Sequence, residues 1–402
     1  MPDGTVNQYG YEYDDRYRLT EVTKNSQLVE QYQYDANGNR TLATSIERGV
    51  SGVSASYNLG DQLQSFGNTS YTYDGNGRLS QKTTGTDVTT YDYDSQGRLK
   101  QVQTPDHTIE YRHNALGNRV AKLKDGQVVE RYLWQDKTTL LATYDGDGNL
   151  KQRFNYTLGH APTSFTENGE TYYLLTDHLG SPRMITDSFG QVVKAIEYDA
   201  YGNVIHDSTP NITIPFGFAG GLKDPDTGLI RFGYRDYDPT TGRWTARDPI
   251  GFAGGDTNLY GYASNTPVKH IDPDGRIAIN AIGALIGGGI ELGVQLAKNG
   301  FDFRKVDYVD VATMALVGAF APSSLAAGKE AFRSYKASKE LKKQLDRAGA
   351  NSLKKKLNSR IGNHKASIKD HLKVQGSIAA LKYILKKYLN QPGFDSEGRE
   401  CY

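Results

Sequence analysis

YTYDGNGRLSQKT, from Tyr71 to Thr83, returns about 20 residues later as YDYDSQGRLKQV from Tyr91. Alternating tyrosines place their rings on one face of a strand. The Asp-x-x-Gly that follows is a tight-turn sequence, because the Asp side chain bonds the backbone ahead and Gly accepts a positive φ. Arg78-Leu79-Ser80-Gln81 then resumes the alternation as a returning strand. One unit is a β-hairpin, marginal alone but able to bury its Tyr/Leu face against neighbours. The same grammar recurs in YEYDDRYRLTEV from Tyr11, YQYDANGNRTL from Tyr32, YDGDGNLKQRF from Tyr144 and IEYDAYGNVIHD from Ile196, with YRHNALGNRVAKL from Tyr111 as a degenerate copy. Repetition at this period predicts hairpins stacked into one continuous sheet. With 28 Tyr in the chain, aromatic ladders rather than a thick Leu/Val core are expected to hold it.

The hairpin text stops at a seam, Gly275. Past it come an apolar, Gly-punctuated stretch and a basic tail, and two such compositions rarely share one core. At 402 residues the chain has room for two or three domains. Its net charge of +1 hides an asymmetry: Lys329 to Lys387 holds seventeen Lys/Arg against four Asp/Glu, which leaves the remainder near −12. A basic tail suits either the acidic remainder or an anionic target such as nucleic acid or lipid headgroups. Cys401 is the single cysteine, so an internal disulfide and a Cys-based metal site are excluded. MPDGTVNQYGYEYDD has neither a basic n-region nor an apolar h-region. The chain is therefore expected to be cytoplasmic before delivery, and any export to use a non-classical route.

Two boxes carry candidate chemistry: Asp248-Pro249-Ile250-Gly251 and Asp272-Pro273-Asp274-Gly275. Two neighbouring carboxylates cannot readily both ionise, so one keeps a proton. The ionised one can then take a proton from water while the neutral one donates. Arg247 could hold a carboxylate or stabilise an oxyanion. The alternative is structural, because Asp-Pro-x-Gly is also a turn sequence. The strings from Asp224 to Gly228 and from Asp238 to Gly242 read as turns only. Asp256 reads as a loop cap, with a third acid as the sharper reading. Asp177-His178 reads as a buried turn, and Trp244 and Tyr260 as aromatics packed against the sheet.

The Tyr-Asp repeats resemble those of the rearrangement-hotspot (Rhs) family over roughly Tyr11 to Gly275. TDHLGSPRMITD (Thr176 to Asp187) is similar to that family's DHLG-S/T-PR signature. FGFAGGLKDPDTGLIRFGYRDYDPTTGRWTARDPIG (Phe216 to Gly251) is similar to its core-closing block. The resemblance implies a β-sheet cocoon around a variable C-terminal toxin, used in bacterial competition through contact-dependent or type VI delivery. It implies an immunity protein and a secretion apparatus as partners. It also implies self-cleavage just after the second box, with Asp248 and Asp272 as the dyad, Arg247 as the supporting cation, and the cut at Gly275–Arg276 or Arg276–Ile277. Arg276 departs from the aliphatic residue usual there. The repeats are also few for a sealed shell, so an open, curved sheet with unpaired edges on the Met1 side is expected, and the chain reads as a fragment or a displaced cassette.

Past the seam, Ile277 to Ala297 is apolar and about the length of a bilayer span. Gly283, Gly287, Gly289 and Gly293 would let helices approach closely. It reads as a pair of packed helices with the stretch Val309 to Gly328, or as a membrane-inserting, pore-forming hairpin. From Lys329 the text reads as helices: Ile368, Leu372, Ile378, Leu381, Leu385 and Leu389 form an apolar stripe with lysines on the other faces. Such a helix could bind nucleic acid or membrane. His364 and His371 are two helical turns apart, a spacing more often incidental than a nuclease site. No cofactor and no metal is called for. The expected architecture is thus a YD-repeat β-sheet over 1–215, a core-closing block over 216–275, a Gly/Ala-rich segment over 276–328 and a basic α-helical region over 329–402. The expected role is that of a toxin carrier, with an inactive structural remnant as the alternative.

Overall fold

The computed structural model describes residues 6–157 and 160–280. Twenty strands, from Tyr9–Tyr13 to Val204–Asp207, form one antiparallel meander in which each strand pairs with the next. The turns alternate between the two rims of this sheet. One rim carries five-residue Asx turns, including 14–18, 35–39, 74–78, 94–98, 177–181 and 199–203. In the 74–78 turn Asp74 Oδ1 accepts the amides of Asn76 and Arg78, each at 2.9 Å. Gly77 takes φ +75°, the left-handed conformation that glycine adopts without steric cost. The other rim turns mostly on two residues, such as Asn25-Ser26 and Asp125-Gly126.

The first tyrosine of the pair is buried in the units from Tyr32, Tyr71, Tyr91 and Tyr111, while Tyr11 in the first strand is exposed. Tyr71, Tyr91 and Tyr111 pack with Leu79, Leu99, Val102 and Ile109 in one cluster. Each such side chain contributes about 1.5–3 kcal/mol by leaving water. In four of the units the second aromatic reaches back across the sheet, whereas the Tyr93 hydroxyl is buried without a partner. Tyr34 Oη donates to the Leu19 carbonyl at 2.6 Å, Tyr57 to Arg40 at 2.8 Å and Tyr156 to Leu140 at 2.8 Å, and Trp134 Nε1 donates to Arg119 at 2.7 Å. Successive hairpins are thereby tied together by side chains as well as by the backbone ladder.

Strand pairing leaves the sheet open, as expected, but it curls far enough for its last hairpin to pack on its early strands. The turn 199–203 of the last hairpin packs on the early strands Gln27–Tyr34 and Arg40–Ser45. Ala200 donates its amide to both Glu30 carboxylate oxygens at 3.1 Å, and Arg48 pairs with Asp199 at 3.1 Å. Tyr201 meets Tyr34 through their hydroxyls at 2.6 Å and lies under the Arg40 guanidinium at 4.3 Å. Lys24 bridges to Glu197 at 3.2 Å. No strand ladder makes this contact: among the described residues the first strand, Tyr9–Tyr13, pairs only with its successor, so its outer backbone edge has no strand partner, as expected.

Residues 216–280 form a separate plug of short strands: Leu222–Lys223, Ile230–Phe232, Arg235–Asp238 and Arg243–Trp244 in one small sheet, and His270–Ile271 with Ile279–Asn280 in another. Its centre is aromatic. Phe218, Phe232, Tyr237, Trp244 and Tyr262 lie with ring centroids 4.5–6.2 Å apart, mostly in edge-on or tilted contacts. Such pairs add about 0.5–1.5 kcal/mol each beyond their buried area. The readings made for the apolar stretch beyond Asn280, for the basic helical tail and for His364 and His371 lie outside the described residues. Among the described residues no helix is long and apolar enough to cross a membrane.

Candidate functional site

The plug sits against the rim of five-residue turns. Asn265 donates to the Gly38 carbonyl at 2.8 Å, Asn258 and Arg243 to Asn39 Oδ1 at 2.7 and 2.8 Å, Tyr260 Oη to Gly77 at 2.7 Å, and Asn203 to Pro239 at 2.8 Å. Buried ion pairs join the two parts as well: Lys122 with Asp224 at 2.7 Å and Arg119 with Asp236 at 3.1 Å. The turn chemistry that closes each hairpin thus also builds the surface on which the plug rests.

At the plug's C-terminal end Asp248 and Asp272 are brought together by a residue that sequence reading missed. Arg235 Nη2 lies 2.9 Å from Asp248 Oδ2 and 3.1 Å from Asp272 Oδ2. Its Nε donates to the Gly275 carbonyl at 2.5 Å and its Nη1 to Leu259 at 3.3 Å. The guanidinium lies over the Trp244 ring at 4.1 Å. Asp272 Oδ1 accepts the amides of Arg276 at 2.8 Å and Ile277 at 3.0 Å. Asp248 Oδ1 accepts the Ile250 amide at 2.9 Å. Burial pushes the Asp272 carboxyl up to about 7, opposed by Arg235 and reinforced by the nearby Asp274 and Asp248 charges. Burial also raises Asp248, again against Arg235. Burial, with Arg235 shared between two carboxylates, favours a proton on the pair, although Arg276 also acts on Asp248 in the opposite direction.

The chain at the seam is held closely. Gly275 takes φ +74°, and a Cβ there would lie 2.5 Å from the Phe232 carbonyl. A Cβ on Gly254 would lie 2.8 Å from Asp248 Oδ2 and 2.9 Å from the Arg276 carbonyl. Gly254 therefore leaves a gap between carboxylate and peptide that no other residue could leave. Arg276 pairs with Asp274 at 2.6 Å and stacks over Tyr234 at 4.2 Å. Together these groups supply a carbonyl polarised by a cation, a carboxyl at the following amide nitrogen and a second carboxylate on the same cation.

Arg247 does not touch the dyad. Its Nε donates to Tyr260 Oη at 3.3 Å, and it crowds the turn glycine Gly77. Consecutive side chains of an unwound chain point apart, so Arg247 points away from the carboxylate of its neighbour Asp248, and Arg235 occupies the place assigned to it. Asp256 accepts the Asn258 amide at 2.9 Å and lines the same cleft as the dyad. Asp177 is the acceptor of an Asx turn, but His178 is exposed rather than buried and meets the Val268 carbonyl at 2.8 Å. Trp244 and Tyr260 are each 1% exposed, within the plug and against the sheet rim. Asp224 and Asp238 lie in turns, though Asp224 also takes Lys122 and the Tyr111 hydroxyl at 2.7 Å each. Among the described residues no cluster of three metal-ligating side chains is present.

Comparison with known proteins locates the same block. The family described as Teneurin YD-shell matches residues 3–268, a span that holds Arg235 and Asp248 and stops short of Asp272. Teneurin-3 of Danio rerio is 33% identical over 282 residues, covering 67% of this chain and 10% of its own length. Teneurin-1 of Homo sapiens is 33% identical over 281 residues with the same coverage. The tRNA3(Ser)-specific nuclease WapA of Bacillus spizizenii is 29% identical over 273 residues, covering 66% of this chain and 12% of that protein. The chain thus spans only about a tenth of the length of these relatives. Among solved structures, a TcdB2-TccC3-Cdc42 crystal structure superposes with a TM-score of 0.43 at 20% identity, covering 67% of this chain and 16% of that one.

Proposed function

The chain belongs to the teneurin YD-shell family, Rhs-like YD-repeat shells homologous to WapA, and on that premise we propose that it is a carrier that cuts itself at Gly275–Arg276 to free the residues beyond. One observation carries this reading: a single buried guanidinium touches both carboxylates and the Gly275 carbonyl. Asp248 takes a proton from water, and the oxygen attacks the Gly275 carbonyl carbon. Arg235 Nε stabilises the charge that develops on the carbonyl oxygen. The Arg276 N–H donates to Asp272 Oδ1 at 2.8 Å in the resting chain; once attack makes that nitrogen tetrahedral and its lone pair turns to the carboxyl, the bond breaks as Asp272 gives it a proton. The products are a Gly275 carboxylate and an Arg276 amine. This geometry favours Gly275–Arg276 over Arg276–Ile277, because Arg235 holds the carbonyl of the first bond.

The freed segment would be an effector in interbacterial competition. A nucleic-acid target is favoured by the nuclease named among the relatives and by the basic charge from Lys329 to Lys387. A membrane-inserting, pore-forming effector from Ile277 onward is the second reading for that segment. An immunity protein and a type VI or other secretion apparatus are the partners this role would need, with delivery outside the cell by a non-classical route.

A purely structural role is favoured by a different observation: Asp272 Oδ1 caps two amides, as a turn aspartate does. Gel analysis of the purified full chain separates the two. Self-cleavage predicts two bands for the parent and one for Asp272→Asn and Asp248→Asn. A parent that remains one band under every condition removes it. For the effector, expression of residues 277–402 in bacterial cytoplasm, against the same segment exported, separates an intracellular target from a pore, and silence in both supports the structural role.

A further inference from the structure

A second cationic centre lies where the plug meets the sheet, in a cavity that includes Asn118, Arg119, Lys137, Arg231 and Pro273 in its lining. Arg231 and Arg119 share one carboxylate: Asp236 Oδ2 takes Arg231 Nη1 at 2.6 Å and Oδ1 takes Arg119 Nη2 at 3.1 Å. Both guanidiniums are almost wholly buried, at 5% and 2% exposure. Three of their other nitrogens go unused. Arg231 Nε and Nη2 and Arg119 Nε are buried with no hydrogen-bond partner, and so is the acceptor Asn118 Oδ1. Lys137 adds a third charge, with its ammonium on the Leu116 carbonyl at 3.0 Å and over the Tyr234 ring at 4.3 Å. Burial, aided by Arg231, Arg98 and Arg276, lowers its affinity for a proton.

The energetics of such a cluster are one-sided. A buried charge without a partner is strongly destabilising. Lysine can escape by losing its proton, but arginine cannot. Asp236 is the one carboxylate in direct contact with the two guanidiniums; Asp224 acts on Arg119 and Asp274 on Lys137 from farther off, and Arg119 also lies over the Tyr111 ring at 3.5 Å. An anion in the cavity would resolve the imbalance. Two planar forks and an ammonium suit an oxyanion, which accepts several hydrogen bonds at once. The unpartnered Asn118 Oδ1 calls for a donor, which the hydroxyl of a hydrogen phosphate has and a carboxylate or chloride lacks. We infer that this cavity is a binding site for a phosphate-type oxyanion, held by Arg231, Arg119 and Lys137. The inference stands apart from the self-cleavage reading, since neither Asp248 nor Asp272 takes part.

The test uses the purified full chain, with inorganic phosphate as the probe and sodium chloride at matched ionic strength as the control. Phosphate is expected to raise the thermal midpoint with a saturating dose dependence, and titration calorimetry to give one site per chain. Arg231→Met and Lys137→Met should each weaken binding by at least about tenfold, as loss of one charge-assisted hydrogen bond implies. If Arg231→Met does not fold, Lys137→Met, at a half-buried position, carries the test. A midpoint that moves no more than in the chloride control overturns the inference. So does a shift that both variants retain, because that marks the general salting effect of phosphate.

Discussion

The hairpins and the plug are both β-structure, yet they are held by different means. In a hairpin the decisive contacts are local and repeated: an Asp closes its own turn, and an aromatic reaches a carbonyl 15 to 17 residues upstream. In the plug the decisive contacts are single and distant, as in Lys122 with Asp224 or Arg243 with Asn39, across 102 and 204 residues. The hairpins spread their stability over many small, replaceable contributions. The plug concentrates it in buried charges, each of which leaves a partner stranded when removed. Chemistry concentrates in the same place, because burial is what lets a carboxyl keep its proton near neutral pH.

The sharpest way to break this contrast is to remove one plug charge. Asp236→Ala strands the guanidiniums of Arg119 and Arg231 and is expected to cost about 3–5 kcal/mol in denaturant unfolding. A loss near that of a hairpin substitution would abolish the distinction. Next in size, Arg235→Met should slow self-cleavage by about 10²–10³-fold, as loss of an oxyanion-stabilising donor does. Arg247→Met should leave the rate nearly unchanged, and time courses of refolding from denaturant would compare the two.

The third test is pH. Asp272 is pushed up to about 7 from the ordinary carboxylate range near 3.9. Cleavage during refolding should therefore fall as pH rises through about 7, because the proton destined for the leaving amine is lost. Stability carries the same sign. A carboxyl raised in the fold costs nothing below about 4 and destabilises progressively as pH rises toward about 7. Glu30, raised to about 8 by burial and by Asp199 where the last hairpin packs on the early strands, adds to the same trend. His113, His160 and His270, whose affinity for a proton burial lowers, carry the opposite sign, so the Asp272 contribution is read from the variant: Asp272→Asn should gain thermal midpoint over the parent at pH 8 more than at pH 5.

The smallest effects belong to the hairpins. Tyr156→Phe, which deletes only the hydrogen bond to Leu140, should cost about 0.5–1.5 kcal/mol. Exposed Phe189→Ser, on the rim opposite the plug, should fall within about 0.5 kcal/mol of the parent. Chemical denaturation of both variants beside Asp236→Ala would set out the gradient from plug to rim.

These differences also explain what could be read in advance. The strands and turns of the hairpins were legible because their chemistry is local: Asp74 bonds residues two and four positions ahead, and tyrosines at alternate positions share a face. The curve was expected, but the contact between the last hairpin and the early strands was not, because Lys24 meets Glu197 across 173 residues and no local pattern encodes that contact. Asp248 and Asp272 stood out as twin boxes. Arg235 did not, since it lies 37 residues before Asp272, inside a stretch that reads as an ordinary strand. Adjacency in sequence pointed instead to Arg247, and the alternation of side chains along an unwound chain explains why that neighbour faces elsewhere.

The most direct measurement is the intact mass of the purified full chain together with the N-terminal sequence of any smaller product. The account predicts two masses that sum to the full chain plus one water, with the smaller product beginning at Arg276 and both disappearing in Asp272→Asn. A single full-length mass, a product beginning elsewhere, or cleavage that persists without Asp272 would contradict it.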